Sequence, residues 1–294
     1  MGRLSVVIPS ATRPEHLERC LRSVTNFAPA STEILVVDDA SQEACVSAVA
    51  CRFPGVRVLR LMERRGFCTA ANVGILSTDS DVVELLNDDT EVSPGWADAA
   101  LQQFDNPSVV AVAPLVLQLD RTRQRAGLTP LIDSAGDDYD YGGFARKRFH
   151  NAELDAQRTR LAVAQPVWGA SASAAFYRRE TVVAAGLFPA DFGAYFEDVD
   201  LAHRLRARGQ VIFEPASVVW HRVSASYGRE PSAALLEQQS RNEERVFWRN
   251  VRGWSLIAHL PRHIAVLTGK AARRLQEHQF TPWWRGRWQA WTGR

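Results

Sequence analysis

The chain has 294 residues, 46% hydrophobic and 23% charged, with 35 basic and 33 acidic side chains and a net charge of +2. This suits one large α/β domain with or without an appendage, and so small a charge with no recognised nucleic-acid module argues against a nucleic-acid partner. The longest apolar stretches, Val109–Leu119 and Ser255–Leu267, are short, and the second is interrupted by Pro261, Arg262 and His263, so no membrane-spanning helix is expected.

The first nine residues hold one arginine and a strand-length apolar run ending at Pro9, which is not the pattern of a signal peptide, and the chain is expected to stay in the cytoplasm. Short apolar runs at Leu4–Ile8, Glu33–Asp38, Val56–Leu61 and Asp81–Leu86 predict strands. Between them, Pro14–Val24 places Leu17, Leu21 and Val24 on one face behind a helix-starting proline, and Glu43–Arg52 and Thr69–Ser77 read as further crossover helices. A helix at Trp96–Phe104 and a long strand at Val109–Leu119 follow. The pattern is then irregular through Asp120–Gln165, after which Ser173–Tyr177, Val211–Phe213 and Val218–Trp220 read as strands, and Arg179–Ala185 and Leu201–Arg208 as helices. The four Cys residues, at 20, 45, 51 and 68, have neither zinc spacing nor a disulfide pattern and read as buried thiols.

This alternation predicts a mostly parallel sheet flanked by helices, with the carboxyl ends of its strands on one edge. Four turns would meet there: Pro9–Thr12, Asp38–Ser41, Arg64–Gly66 and Asn87–Asp89. There is neither a Gly-x-Gly-x-x-Gly after the first strand nor a phosphate-cradling Gly-x-x-x-x-Gly-Lys-Ser/Thr, so neutralising a phosphate would fall more heavily on a metal. Asp88 and Asp89, at a strand end, offer the hard oxygen donors such a metal takes, although acidic turns after strands are also common for local reasons. Glu197, Asp198 and Asp200 crowd the start of a helix behind the aromatic loop Phe192–Phe196. Helix capping accounts for some of that acidity; partial desolvation by the loop would also make one of them a general base. His221 follows a strand and could reach the same edge as Asp89.

In order, Val6-Val7-Ile8-Pro9, Val36-Val37-Asp38-Asp39-Ala40-Ser41, Gly66-Phe67 with Asn72-Val73-Gly74, Leu85-Leu86-Asn87-Asp88-Asp89, Trp168-Gly169-Ala170, Gly186-Leu187-Phe188, Glu197-Asp198-Val199-Asp200-Leu201 and His221 resemble the family 2 glycosyltransferases. Within that family the chain is most similar to bacterial rhamnosyltransferase-like and galactofuranosyltransferase-like enzymes, over about residues 4–222. The resemblance implies a GT-A fold and an inverting, Mn²⁺- or Mg²⁺-dependent transfer from a dTDP- or UDP-sugar, dTDP-rhamnose among them, to a cell-envelope glycan or polyprenyl-linked acceptor. It implies a nucleotide pocket of Pro9, Asp38, Asp39, Arg65, Gly66 and Asp88, with Asp39 on the pyrimidine ring. It further implies Asp89 and His221 at the metal, Asp198 as catalytic base, and Trp168 and Glu197 near the sugar or acceptor; core packing is the rival reading for Trp168. Asn87 stands where a full Asp-x-Asp has a carboxylate, and Arg64 where relatives often have asparagine. A sugar nucleotidyltransferase would need a glycine-rich, lysine-bearing first loop that is absent, and the intact acidic set argues against a non-catalytic scaffold.

The domain implied spans residues 1–231, with a nucleotide-binding part to about 119 and an acceptor-binding part beyond it, and residues 232–294 form a helical tail. From Arg241 onward, 11 basic residues meet only Glu243, Glu244 and Glu277, whereas residues 1–240 carry a net charge of −6. Trp248, Trp254, Trp283, Trp284, Trp288 and Trp291 lie among these arginines. Two readings stand: peripheral contact with anionic headgroups at the inner face of the cell membrane, or packing on the main domain or in a homo-oligomer.

Overall fold

The computed structural model describes residues 3–222 and 232–293. The polar sequence Arg222-Val223-Ser224-Ala225-Ser226 that follows His221 therefore lies outside the described residues from Val223 on, as does Arg294. The strands are β1 (Leu4–Ser10), β2 (Glu33–Asp38), β3 (Val56–Arg60), β4 (Val82–Leu86), β5 (Thr90–Val92), β6 (Val109–Gln118), β7 (Ile132–Ser134), β8 (Asp137–Asp140), β9 (Phe144–Lys147), β10 (Gln165–Val167), β11 (Ala174–Arg178) and β12 (Gln210–His221). The helices are α1 (Pro14–Phe27), α2 (Cys45–Ala50), α3 (Phe67–Leu76), α4 (Trp96–Gln103), α5 (Arg121–Arg125), α6 (Leu154–Gln157), α7 (Arg179–Ala184), α8 (Glu197–Arg206), α9 (Ala233–Asn250), α10 (Gly253–Gln276) and α11 (Phe280–Thr292).

One sheet runs β10-β12-β6-β11-β4-β1-β2-β3, with β5 added on β12 and β7 on β6; β8 and β9 form a separate hairpin. Strands β3, β2, β1, β4, β6 and β12 point the same way, while β11, between β4 and β6, runs against them. The sheet is therefore mostly parallel, as expected. All seven residues of β1 are buried, as a central strand covered on both faces requires. Helix α1 begins at Pro14 and buries Leu17, Cys20, Leu21 and Val24 on the sheet. Gly74 lets α3 lie directly against β1, since a Cβ there would come within 2.3 Å of Val7 Cγ1.

Several expectations need correction. The irregular stretch Asp120–Gln165 holds β7, β8, β9, α5 and α6, all too short for a period to show. Helix α8 starts at Glu197 rather than Leu201, so the three carboxylates occupy its first turn. The two strands expected at Val211–Phe213 and Val218–Trp220 are one strand with an irregularity between Glu214 and Val218. Cys20 and Cys68 are buried thiols, but Cys45 is half-buried and Cys51 exposed.

Candidate active site

The parallel strands deliver Ser10, Asp38, Asn87-Asp88-Asp89 and His221 to one edge of the sheet, because each stands at or just after the carboxyl end of β1, β2, β4 or β12. Ser10 Oγ donates to Asp88 Oδ2 at 2.6 Å. Burial pushes the Asp88 carboxyl up to about 6 in spite of that bond.

Asp89 is almost fully enclosed, and its Oδ2 accepts from Arg13 Nη1 at 2.8 Å. Its Oδ1 lies 3.2 Å from His221 Nε2 yet has no hydrogen bond of regular geometry. Burial alone would raise the Asp89 pKa; the imidazole of His221 and the guanidinium of Arg13 outweigh it and hold the carboxyl low. His221 Nδ1 meets Asp133 Oδ2 at 2.9 Å. Burial would lower the imidazole pKa, but Asp133 and Asp89 together push it up to about 9. Asp133 is fully buried in β7 and is also bonded by Lys147 Nζ at 2.9 Å, while His150 Nδ1 sits 3.4 Å from its Oδ1. His150, His221 and Lys147 thus overcome burial and hold the Asp133 carboxyl far below the usual range.

Asp39 accepts from the backbone N–H groups of Arg65 and Gly66 at 2.7 and 2.9 Å, which fastens that loop beside β2. Gly66 has φ +83 and lies close against Gly193, joining the loop to the acidic side of the site. The Arg65 side chain is exposed and pairs with Glu63 at 2.5 Å. Asp38 has no exposed surface: it accepts from Ser41 N and Oγ, from Ser47 N and Oγ, and from Arg60 Nη1. Its carboxylate is committed to holding its own loop. Pro9 is buried within β1, in register with Val37.

Across the edge, Asp198 accepts from Ala172 N at 3.1 Å and Val199 N at 2.8 Å, but burial still raises its pKa. Glu197 is buried and one of its oxygens, Oε2, has no partner; burial and then the charge of Asp198 push it up to about 8. Asp137 of β8 is likewise buried with a partnerless oxygen, and burial followed by Asp198 raises it strongly. The loop before Glu197 is strained: Tyr195 and Phe196 take φ +70 and +65, a region bulky side chains rarely adopt. Asn242 of α9 holds it, its buried amide nitrogen lying 2.9–3.0 Å from the carbonyls of Phe192, Ala194 and Tyr195.

Trp168 is half-buried, its ring stacking on Tyr139 at 4.8 Å and meeting His203 edge-on at 4.7 Å. The structure thus gathers Asp88, Asp89 and His221 in one cluster and Glu197 and Asp198 in another. Sequence reasoning missed Asp133, Asp137, Asn242 and the role of Arg13. Asp133 carries no local signal, whereas Lys147, one of two lysines in the chain, was a visible oddity at its side.

A mostly parallel sheet with acidic residues at its strand ends, flanked by helices and followed by C-terminal helices, is a GT-A glycosyltransferase fold. The chain belongs to glycosyl transferase family 2, whose family model matches residues 5–183, and it is a glycosyltransferase. It is 26% identical over 291 residues to the N-acetylglucosaminyl-diphospho-decaprenol L-rhamnosyltransferase of Mycobacterium tuberculosis, covering 92% of this chain and 94% of that one. Among solved structures it resembles GalNAc-T7 with UDP, GalNAc and Mn²⁺ (TM-score 0.62, 20% identity, 83% of this chain, 48% of that one). It also resembles the Pyrobaculum calidifontis mannosyltransferase PcManGT in complex with GDP-Man and Mn²⁺ (TM-score 0.61, 17% identity, 98% of this chain, 87% of that one).

Proposed function

We propose that this glycosyltransferase moves a sugar, with inversion and with a divalent cation, from a dTDP- or UDP-sugar to a hydroxyl of a cell-envelope glycan or polyprenyl-linked acceptor at the cytoplasmic face of the membrane. The rhamnosyltransferase relative makes dTDP-rhamnose the first donor to test. The observation that carries the reading is the pairing of Asp89 Oδ1 with His221 Nε2 at 3.2 Å, one buried oxygen without a regular partner beside an imidazole nitrogen whose ring is oriented by Asp133.

Among the described residues no three His, Cys, Asp or Glu side chains form a metal cage. A two-ligand site fits the chemistry nevertheless, because small hard cations at phosphate sites take one or two side chains and fill the remainder with substrate oxygens and water. Asp89 and His221 would hold Mn²⁺ or Mg²⁺, and the bound ion would supply charge neutralisation for the departing diphosphate. Asp133 fixes the tautomer that leaves His221 Nε2 facing the site. Asp39, already holding the Arg65-Gly66 loop, is the residue we assign to the pyrimidine N–H.

Of the two acids across the edge, Glu197 with its pKa near 8 keeps its proton at neutral pH. Asp198, bonded by two backbone N–H groups, is then the ionised partner. It takes the acceptor hydroxyl's proton as that oxygen attacks the anomeric carbon, and a single displacement inverts the configuration.

Release of dTDP or UDP from candidate donors, with and without Mn²⁺, tests the reading. Metal-dependent release with one pyrimidine series, abolished by Asp198→Asn while nucleotide binding persists, is the expected result. Release unaffected by Asp198→Asn would remove the base assignment.

A further inference from the structure

Helix α10 buries a histidine and leaves an apolar stripe exposed. Helices on globular domains put an apolar stripe inward and a polar face outward, yet the one fully buried side chain of α10 is His263. His263 Nδ1 is 2.8 Å from Gly142 O and its Nε2 3.1 Å from Glu244 Oε1, and its ring stacks on Phe247 at 3.6 Å. On the same inward side, His259 stacks on Tyr141, Arg262 pairs with Asp140 and Lys270 pairs with Glu243. These polar groups, together with the half-buried Leu256, Leu260, Val266 and Leu267, fasten α10 to the β8–β9 hairpin and to α9.

The outward side is apolar. Trp254, Ile257, Ala258, Pro261, Ile264, Ala265, Ala272 and Leu275 recur at helical spacing and are all exposed, with Trp254 at 85%, Ile257 at 63% and Leu275 at 58%. No described residue covers this stripe, and no helix among the described residues is long and apolar enough to cross a membrane.

We infer that the outward face of α10 docks on an anionic phospholipid surface, with the helix lying in the plane of the interface. Charge selects this occupant. Neither α10 nor α11 contains an acidic residue, and from Arg245 to Arg294 only Glu277 is acidic, against ten basic residues. Arg252, Arg273 and Arg274 flank the stripe along the chain, and on α11 the exposed Arg285 stands beside the exposed Trp284 and Trp288. An apolar stripe flanked by arginine and tryptophan matches the acyl–headgroup boundary of an anionic bilayer, whereas two copies meeting through it would oppose like charges. The placement has a consequence for the site. The tip of the β8–β9 hairpin, Asp140 and Phe144, touches α10, and its base, Asp137 paired with Lys147, reaches the acidic side of the site. A membrane-bound α10 thus seats the hairpin that carries Asp137 and Lys147. The inference holds whatever the donor sugar.

Co-sedimentation of the full chain with vesicles of phosphatidylcholine, with and without phosphatidylglycerol, tests it. Two exposed positions change together in Ile257→Glu/Ile264→Glu, and Trp254→Ala serves as a milder variant; thermal melting and nucleotide binding report that both remain folded. The expected result is binding that requires phosphatidylglycerol, weakens at least about tenfold in the double variant and weakens less in Trp254→Ala. Failure of the native chain to bind, or equal binding by the double variant, would overturn the inference. So would a solution dimer abolished by the double variant in a chain that ignores vesicles, which would assign the stripe to a second copy. Loss of nucleotide binding alone would count against the donor reading and leave this one standing.

Discussion

His221 Nδ1 and Asp133 Oδ2 lie 2.9 Å apart, joining the end of the longest strand to a fully buried acid on one of the shortest. The contact determines which imidazole nitrogen faces Asp89. Asp133→Asn keeps the shape and removes the charge that orients and enriches the ring. Mn²⁺ affinity, read by calorimetry in the presence of nucleotide, should fall about 10- to 100-fold. Unchanged affinity would reduce Asp133 to a structural partner of Lys147 and His150.

Glu197 gives a pH signature whose sign follows from its raised pKa. A carboxyl that holds its proton more tightly in the folded state favours folding at low pH, and that advantage is lost as pH climbs from the ordinary glutamate value of ~4.3 to about 8. Glu197→Gln cannot ionise. Its stability relative to the native chain should therefore increase between pH 5 and pH 8, by on the order of 1–3 kcal/mol in denaturant titrations. A difference that does not change with pH would mean that Glu197 titrates normally. Transfer activity should fall as pH drops through the raised pKa of Asp198, with an acid limb above the usual aspartate range.

Asn242 ties α9 to the strained turn at Tyr195-Phe196. Asn242→Ala leaves the carbonyls of Phe192, Ala194 and Tyr195 short of a donor, although Gln238 still reaches the first two at 3.1 and 3.2 Å. The expected cost is about 1–3 kcal/mol of stability, with kcat lowered more than donor KM because the turn leads straight into Asp198, whereas the nucleotide loop it also touches is held in addition by Asp39. A change in donor KM alone would contradict this division.

Arg287 is buried between two acids, bonded to Glu244 at 2.6 Å and also to Glu243. Replacing it with methionine strands those carboxylates near Lys270 and His263 and should destabilise the chain by about 3–5 kcal/mol in denaturant unfolding. If Arg287→Met costs under about 1 kcal/mol, α11 contributes little to the stability of α9.

Much of the scaffold was legible because the central strands are long and apolar: Glu33–Asp38 was readable to the residue, and β1, β3 and β4 within two. The acidic clusters at Asp88-Asp89 and Glu197–Asp200 and the lone His221 stood out at element ends, and the family resemblance singled out Asp89, Asp198 and His221 among them. What escaped notice was short or inverted. Strands β7, β8 and β9 have three or four residues each, too few for alternation to register, so Asp133 and Asp137 looked like charges in a loop. Asn242 gave no role from the sequence, since what it binds is 47 to 50 residues away. The tail divides between its two readings: Trp283 is buried, Trp248 and Trp291 bond Glu244 through their indoles though their rings are partly exposed, and Trp254, Trp284 and Trp288 are exposed. No single composition argument could have separated them.

Calorimetric titration with dTDP and UDP, each with and without Mn²⁺, of the native chain and Asp89→Ala, tests the central claim most directly. The account predicts tight binding of one or both nucleotides only with the metal, lost in Asp89→Ala. Binding that is equally tight without metal, or that survives Asp89→Ala unchanged, would contradict the assignment of Asp89 and His221 as the cation's ligands.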